Sequence, residues 1–301
     1  MNPSWSAGSA CVNGLQLHWE EAGPAQGEPL MLVMGLGGQL IHWPESLCAD
    51  LVQRGFRVIR FDNRDAGLSS DADTGVDINI ARDWLRSRFG LRYASNYSLH
   101  DMAADTFGVL DVLGIERAHF VGVSMGGMIS QIAAARHPRR VRSLTSIMSS
   151  TNHPKLPSAR LDVLFSMSGL GPRPTTRDAV IRRSVKMLRR VGSPAFPTPI
   201  AYRAQLAGRA YDRAFRPVAT MRQTHAILAT GSFEPLLPDI SAPTQIVHGL
   251  ADPLLRPACG RRSAQLIRGA RLELIPGMGH DLAPSLMPRW SELIAANAAR
   301  A

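Results

Sequence analysis

The sequence predicts an α/β fold: a mostly parallel sheet flanked by helices, with a helical cap inserted into it. Three observations carry that reading. Short apolar runs of strand length alternate with helix-length stretches in both the first half of the chain and its last quarter. Between 151 and 235 this alternation stops, and Pro, Arg and helical stretches replace it. A Gly-x-Ser-x-Gly turn, Gly122 to Gly126, sits where one apolar run meets the helix-like run after it.

The elements follow in order. Residues 15–20 alternate Leu15, Leu17 and Trp19 with Gln16, His18 and Glu20, as a strand with one solvated face does. Residues 30–34 are continuously apolar, as in a strand buried on both faces, and run into the glycine-rich turn 35–38. A helix near 43–54 precedes the strand 56–61, which ends in Asp62-Asn63-Arg64-Asp65. Residues 71–97 are polar and irregular and read as an insertion. Ser98 is placed to cap a helix over 98–114 whose Met102, Phe107, Leu110 and Leu113 share a face. The strand 119–121, the helix 128–135 and the strand 141–148 complete the first block. After the helical stretch come the strand 244–248, a helix over 256–268, the strand 271–275 and a helix near 284–299. The expected division is a core of 1–150 and 236–301 with a cap of 151–235.

Composition narrows the classes. A chain of 301 residues can bury one large core. Cys11, Cys48 and Cys259 are an odd number without paired spacing, which argues against a disulfide framework or a zinc site. They read as small buried apolar residues. The net charge is +10, but all basic residues except Lys155 and Lys186 are arginine, a skew that points to base composition. No aromatic-interleaved basic stretch supports nucleic-acid binding. The first residues lack a signal-peptide pattern and no apolar run is of spanning length, so the expectation is a cytoplasmic protein without membrane insertion. The oligomeric state is not legible.

The chemistry centres on Ser124. A serine hydroxyl is a useful nucleophile only when a base takes its proton and the backbone presents it openly. A sharp strand-to-helix turn presents it, and Gly122 and Gly126 leave room where a Cβ would collide with neighbouring chain. Such a serine needs a histidine base and an acid that holds the base's tautomer. Both belong just past the carboxyl ends of parallel strands. Asp252 follows the strand 244–248 in Gly249-x-x-Asp252-Pro253, and His280 follows 271–275 in Pro276-Gly277-Met278-Gly279-His280. Asp239 and Asp281 are rival acids without the post-strand position of Asp252.

With the turn Gly35 to Gly38 and Asp62-x-Arg64-x-x-Gly67-x-Ser69, these motifs resemble the α/β-hydrolase fold family over about 15–150 and 240–300. Within it the chain is similar to bacterial carboxylesterases and the aclacinomycin methylesterase group, notably in Val33-Met34-Gly35 and 275–280. The resemblance implies an α/β-hydrolase fold with a cap and no metal or cofactor. It implies Ser124 as nucleophile, His280 as base and Asp252 as acid, with the backbone N–H groups of Leu36 and Met125 as the oxyanion hole. Many relatives carry histidine where this chain has Met34. The donor there is a backbone N–H, so the change falls on local packing.

The expected activity is cleavage of a small-molecule carboxylic ester through an acyl-enzyme. The same triad also serves lactones, methyl esters of larger natural products, carbon–carbon bonds, perhydrolysis or acyl transfer. A non-catalytic binding module is the reading from another class. Other polar groups have plainer roles. His42, His119, His225 and His248 read as structural or pocket-lining, and His137 as a helix-end residue. Asp62 and Arg64 read as loop-organising, and Arg182, Arg183, Lys186, Arg189 and Arg190 as a solvated helix face. Leu164, Phe165, Met167, Leu170, Leu206 and Phe233 fit either an apolar acyl pocket or a core.

Overall fold

A computed structural model describes residues 3–89, 91, 93–167 and 174–301. Its strands are β1 (Ser6–Val12), β2 (Leu15–Ala22), β3 (Glu28–Val33), β4 (Phe56–Phe61), β5 (Ala118–Val123), β6 (Val141–Ile147), β7 (Thr244–Gly249) and β8 (Arg271–Ile275). They form one sheet in the order β1-β2-β4-β3-β5-β6-β7-β8. β1 and β2 pair antiparallel, as do β2 and β4, and every later pair is parallel. The helices are α1 (Glu45–Gln53), α2 (Ile80–Arg88), α3 (Leu99–Val112), α4 (Met125–Arg136), α5 (Leu161–Met167), α6 (Arg177–Val191), α7 (Ile200–Arg213), α8 (Pro217–Thr230), α9 (Pro257–Leu266) and α10 (Met287–Ala298).

The period-two geometry of the strands divides the core between the sheet's two faces. Met31, Val33, Ile59, Phe61 and Phe120 pack with Met102, Phe107 and Leu110 of α3 and Ile129 and Ile132 of α4. Their neighbours Leu30, Leu32, Val58, Val121 and Val123 face the other way, onto Leu47 and Leu51 of α1 and Trp290 and Ile294 of α10. Both faces are covered, which is why β3 and β5 read as continuous apolar runs. Ser98 does cap α3, in a reciprocal capping box with Asp101.

β1 was not anticipated. It forms a hairpin with β2 through Asn13 and Gly14, both at positive φ (50° and 77°). A two-residue Asn-Gly turn of this kind matches the twist of paired strands. On this edge strand Ala10 and Val12 point inward and Cys11 points out. Cys11 is therefore exposed, contrary to the expectation of three buried cysteines, while Cys48 and Cys259 are buried.

Between β6 and β7 the described residues contain no strand. There α6 to α8 and the stretch between α6 and α7 lie against loops that leave the carboxyl ends of β3, β4 and β8. α8 also packs on α2 and α3. Among the described residues no helix is long and apolar enough to cross a membrane. Arg182, Arg183, Lys186 and Arg189 are exposed on α6, a solvated face, while Arg190 is half-buried and bonded to Ser166.

Candidate active site

Ser124 stands between β5 and α4 with φ 55° and ψ −121°, a conformation rare for a residue with a side chain. The neighbouring glycines make the turn possible. A Cβ on Gly126 would lie 2.0 Å from the Val33 carbonyl oxygen, and one on Gly122 would lie 2.2 Å from the Gly126 carbonyl oxygen. Both obstacles are backbone and cannot move aside. The turn is then tied down: Ser124 N–H donates to Ile147 O at 3.0 Å, and Ser124 O accepts from Gly127 N–H, Met128 N–H and the Ser149 hydroxyl.

The structure brings the three predicted side chains into one hydrogen-bonded line. Ser124 Oγ lies 3.0 Å from His280 Nε2, and His280 Nδ1 lies 2.7 Å from Asp252 Oδ2. Asp252 is 1% exposed. Its other oxygen accepts the N–H groups of Leu254 (2.8 Å) and Leu255 (2.9 Å), which fixes the carboxylate's rotation. An ionised carboxylate on Nδ1 holds the imidazole with its lone pair on Nε2, facing the serine. Ser124 and His280 are themselves half-buried.

Met125 follows Ser124 directly, and the turn that carries Leu36 comes close to it: a Cβ on Gly35 would lie 3.2 Å from Ser124 Cβ. Neither the Met125 N–H nor the Leu36 N–H has an acceptor among the described residues. The turn carrying Leu36 is braced from both sides. Gly38 N–H donates to Gly35 O, and Gly37 N–H donates to Gln223 Oε1 of α8 at 2.8 Å. Met34 is buried in the core face of α1 and α10, against Gly38, and so serves packing.

The remaining predicted residues separate cleanly. Asp62 accepts from Leu40 N–H and Leu68 N–H, and Arg64 forms a two-pronged pair with Asp105, both bonds 2.6 Å. Both organise loops. His119 bonds Ser143 and Glu28 far from Ser124, near the amino end of β3. His42 lies in the turn after Gln39, and His225 lies 3.2 Å from Asp83. His137 packs on the Phe107 ring. Asp239 is exposed. Among the apolar pocket candidates, Phe233 belongs to the core, Leu206 is half-buried, and Leu164 and Phe165 are 40% and 67% exposed. Leu170 and the side chain of Met167 lie outside the described residues.

His248, expected to be structural or pocket-lining, is buried directly behind Asp252: its Nε2 is 2.8 Å from Leu255 O and 3.5 Å from Asp252 Oδ2. Burial pushes its pKa below the usual 6.5, so it stays neutral beside Asp252. Its position four residues before Asp252 was the available signal. Three arginines of the helical segment reach buried carboxylates around the site. Arg213 pairs with Asp62 at 2.7 Å, Arg222 with Asp65 at 2.6 Å, and Arg203 with Asp281 at 3.2 Å.

Comparison with known proteins agrees with this architecture. The family model for the alpha/beta hydrolase fold matches residues 28–284, and the chain belongs to that family. The chain is 30% identical over 275 residues to RutD of Variovorax paradoxus strain S110, named as a carbamate hydrolase, with 88% of this chain and 90% of that protein covered. It is 28% identical over 287 residues to the rhodomycin D methylesterase DnrP of Streptomyces peucetius, covering 88% and 89%. Among solved structures, 2-hydroxy-6-oxo-6-phenylhexa-2,4-dienoate hydrolase from Rhodococcus sp. strain RHA1 superposes with a TM-score of 0.73 at 17% identity, covering 99% of this chain and 100% of that one. These relatives are all hydrolases.

Proposed function

We propose that the protein is a serine hydrolase of small-molecule carboxylic esters that works through an acyl-enzyme. The unbroken line from Ser124 Oγ through His280 to Asp252 carries this reading, because each link is at hydrogen-bond distance. Ser124 Oγ attacks the ester carbonyl as its proton passes to His280 Nε2. The tetrahedral oxyanion is met by the N–H groups of Leu36 and Met125, each such donor being worth roughly 3 kcal/mol of barrier. Asp252 stabilises the imidazolium. The imidazolium then gives its proton to the leaving alkoxide, and the acyl group stays on Ser124. Water, deprotonated by His280, attacks the acyl carbonyl; the acyl–Oγ bond then breaks, His280 returns the proton to Ser124 Oγ, and the acid leaves.

In this reading 151–235 is a cap over the core of 1–150 and 236–301, and it shapes the acyl and alcohol pockets. The methylesterase relative supports an ester as the substrate class. The carbamate-hydrolase relative is compatible with the same acyl-transfer steps on a carbamate carbonyl.

The test is a p-nitrophenyl ester series, acetate to palmitate, with a fluorophosphonate probe, on wild type and Ser124→Ala. We expect serine-dependent turnover and labelling of Ser124. In Ser124→Ala turnover should fall by at least roughly 10⁴-fold with an unchanged unfolding midpoint. Near-full activity of that variant would overturn the assignment. Labelling without ester turnover would retain the nucleophile and direct the search to carbamates, lactones and carbon–carbon substrates.

A further inference from the structure

The loop that carries His280 leaves β8, but its hydrogen bonds go largely to the stretch between α6 and α7. His280 N–H donates to Val191 O at 2.6 Å, and Ala195 N–H donates to Gly277 O at 3.2 Å. Gly279 N–H donates to Ser193 Oγ at 2.9 Å. Contact is close enough to require glycine. A Cβ on Gly279 would lie 2.4 Å from Gly192 O, and one on Gly277 would lie 2.3 Å from Ala195 Cβ. On the core side, Met278 O accepts Ala251 N–H from the loop after β7.

Asp281 closes this arrangement. Its Oδ1 accepts from Ser193 N–H (3.0 Å) and from the Ser193 hydroxyl (2.5 Å). Its Oδ2 accepts from Thr198 Oγ1 and from Arg203 Nη2, both 3.2 Å. Ser193, Arg203 and Asp281 are 3%, 6% and 6% exposed. A continuous chain of donors therefore runs from Gly279 N–H through the Ser193 hydroxyl to the Asp281 carboxylate, bracketing His280 on both sides. Four bonds to one carboxylate in low dielectric make it a strong, directional anchor.

We infer that Asp281 is a positioning residue: by seating 193–203 against the His280 loop, it sets the distance from His280 Nε2 to Ser124 Oγ. The inference rests on the reading of His280 as the base. Asp281 is not the rival acid it resembles in sequence, since its carboxylate turns away from the imidazole and into the helical segment. It makes the stretch 193–203 part of the scaffold of the chemistry. Motion that admits substrate then leaves this stretch in place.

The test compares wild type, Asp281→Asn and Asp281→Ala below their unfolding transitions. Three quantities are read: the rate of fluorophosphonate labelling, kcat and KM for the p-nitrophenyl ester that wild type turns over best, and the unfolding midpoint. A displacement of about 1 Å at a reacting pair can cost about 100-fold. We expect Asp281→Ala to lose about 30-fold in kcat and in labelling rate together, with KM within about 3-fold. Asp281→Asn keeps an oxygen for Ser193 but turns an amide toward Arg203, and should lose about 5-fold. It also supplies the answer if Asp281→Ala does not fold. A lowered midpoint with labelling rate and kcat unchanged in the folded variants would make Asp281 a stabilising residue only and overturn the inference. Failure of the probe to label wild type at Ser124 would instead sink the hydrolase reading, and this inference with it.

Discussion

Ser124 and His280 meet at 3.0 Å, yet different parts of the molecule hold them. The serine's turn is built from the sheet, α4 and the loop after β6: its backbone bonds go to Ile147, Gly127, Met128 and Ser149, and its glycines press on Val33 O and Gly126 O. The histidine's loop rests on Val191, Ser193 and Ala195 of the helical segment. The first site is fixed by close packing of neighbouring backbone, which tolerates almost no change. The second is fixed by polar contacts between segments about 90 residues apart, which can be loosened one at a time. Ser124, the proposed nucleophile, is thus held by the core, and His280, the proposed base, is held jointly by the core and the helical segment.

The sharpest way to break this contrast is to add one methyl group on each side. Gly126→Ala drives a Cβ to 2.0 Å from Val33 O and 2.7 Å from Met34 O, both backbone of a central strand and the turn after it. We expect a loss of about 4 kcal/mol or more, read by urea unfolding. Gly279→Ala meets Gly192 O at 2.4 Å and Val191 O at 2.5 Å, in a connection between two helices that can retreat. Its cost should be about 2 kcal/mol, with slower labelling of Ser124 in the folded protein. Equal costs at the two glycines would mean that the segment is as rigid as the core.

The same contrast explains what could be read in advance. The parallel strands, most of the helices and the residues Ser124, Asp252 and His280 were legible because each is marked locally: apolar runs of fixed length, a glycine-framed serine, and Asp and His just after strands. β1 was marked too, by Asn13-Gly14, but Ser6, Gly8 and Ser9 dilute its apolar alternation. The anchors Arg203, Arg213 and Arg222 were not marked at all. In a chain whose cations are almost all arginine, a buried arginine looks like the exposed Arg182 and Arg189. Only the fold reveals that Asp62, Asp65 and Asp281 wait opposite them. Gln223 escaped for the same reason, and Asp281 was read only as a rival acid, because their partners are distant in sequence.

A smaller effect sharpens how the segment is attached. Arg222 donates to Asp65 at 2.6 and 3.0 Å and to Asp71 at 3.0 Å, and it is 5% exposed. Asp65 keeps Tyr97 O–H and Ala72 N–H when the arginine is removed, but loses its buried cation. Removing one partner of a buried pair strands the other, so Arg222→Ala should cost about 3 kcal/mol in urea unfolding. Arg177 and Asp212 link α6 and α7 with similar distances, but both side chains are about half exposed. Water and salt screen such a pair, so Arg177→Ala should leave the midpoint where it is. If the two variants behave alike, buried ion pairs are not what holds the segment.

The smallest effect is acid loosening, and it separates the two regions. His119 lies in β5 of the core and His225 in α8 of the segment. Burial is the main cause that holds each imidazole below its usual 6.5, against the opposing pull of Glu28 and of Asp83. The unfolded chain takes up these protons first as pH falls. The stability that depends on the neutral rings is therefore complete above about pH 7 and declines as pH drops through 6.5, by at most about 1.4 kcal/mol per pH unit for each ring. Glu28 and Asp83 do not overlap this window. Their pKa values are lowered, by the hydrogen bonds of His119 and Arg82 respectively, so what they contribute is lost only at more acid pH. Between pH 7.5 and 5.5 the unfolding midpoint should fall. His119→Gln should flatten that fall in the global transition. His225→Gln should flatten it in amide exchange from α8 while leaving exchange from β5 and β6 unchanged. If α8 and β5 lose protection together at every pH, the segment opens only when the core does, and the division between a core-held Ser124 and a jointly held His280 has no dynamic counterpart.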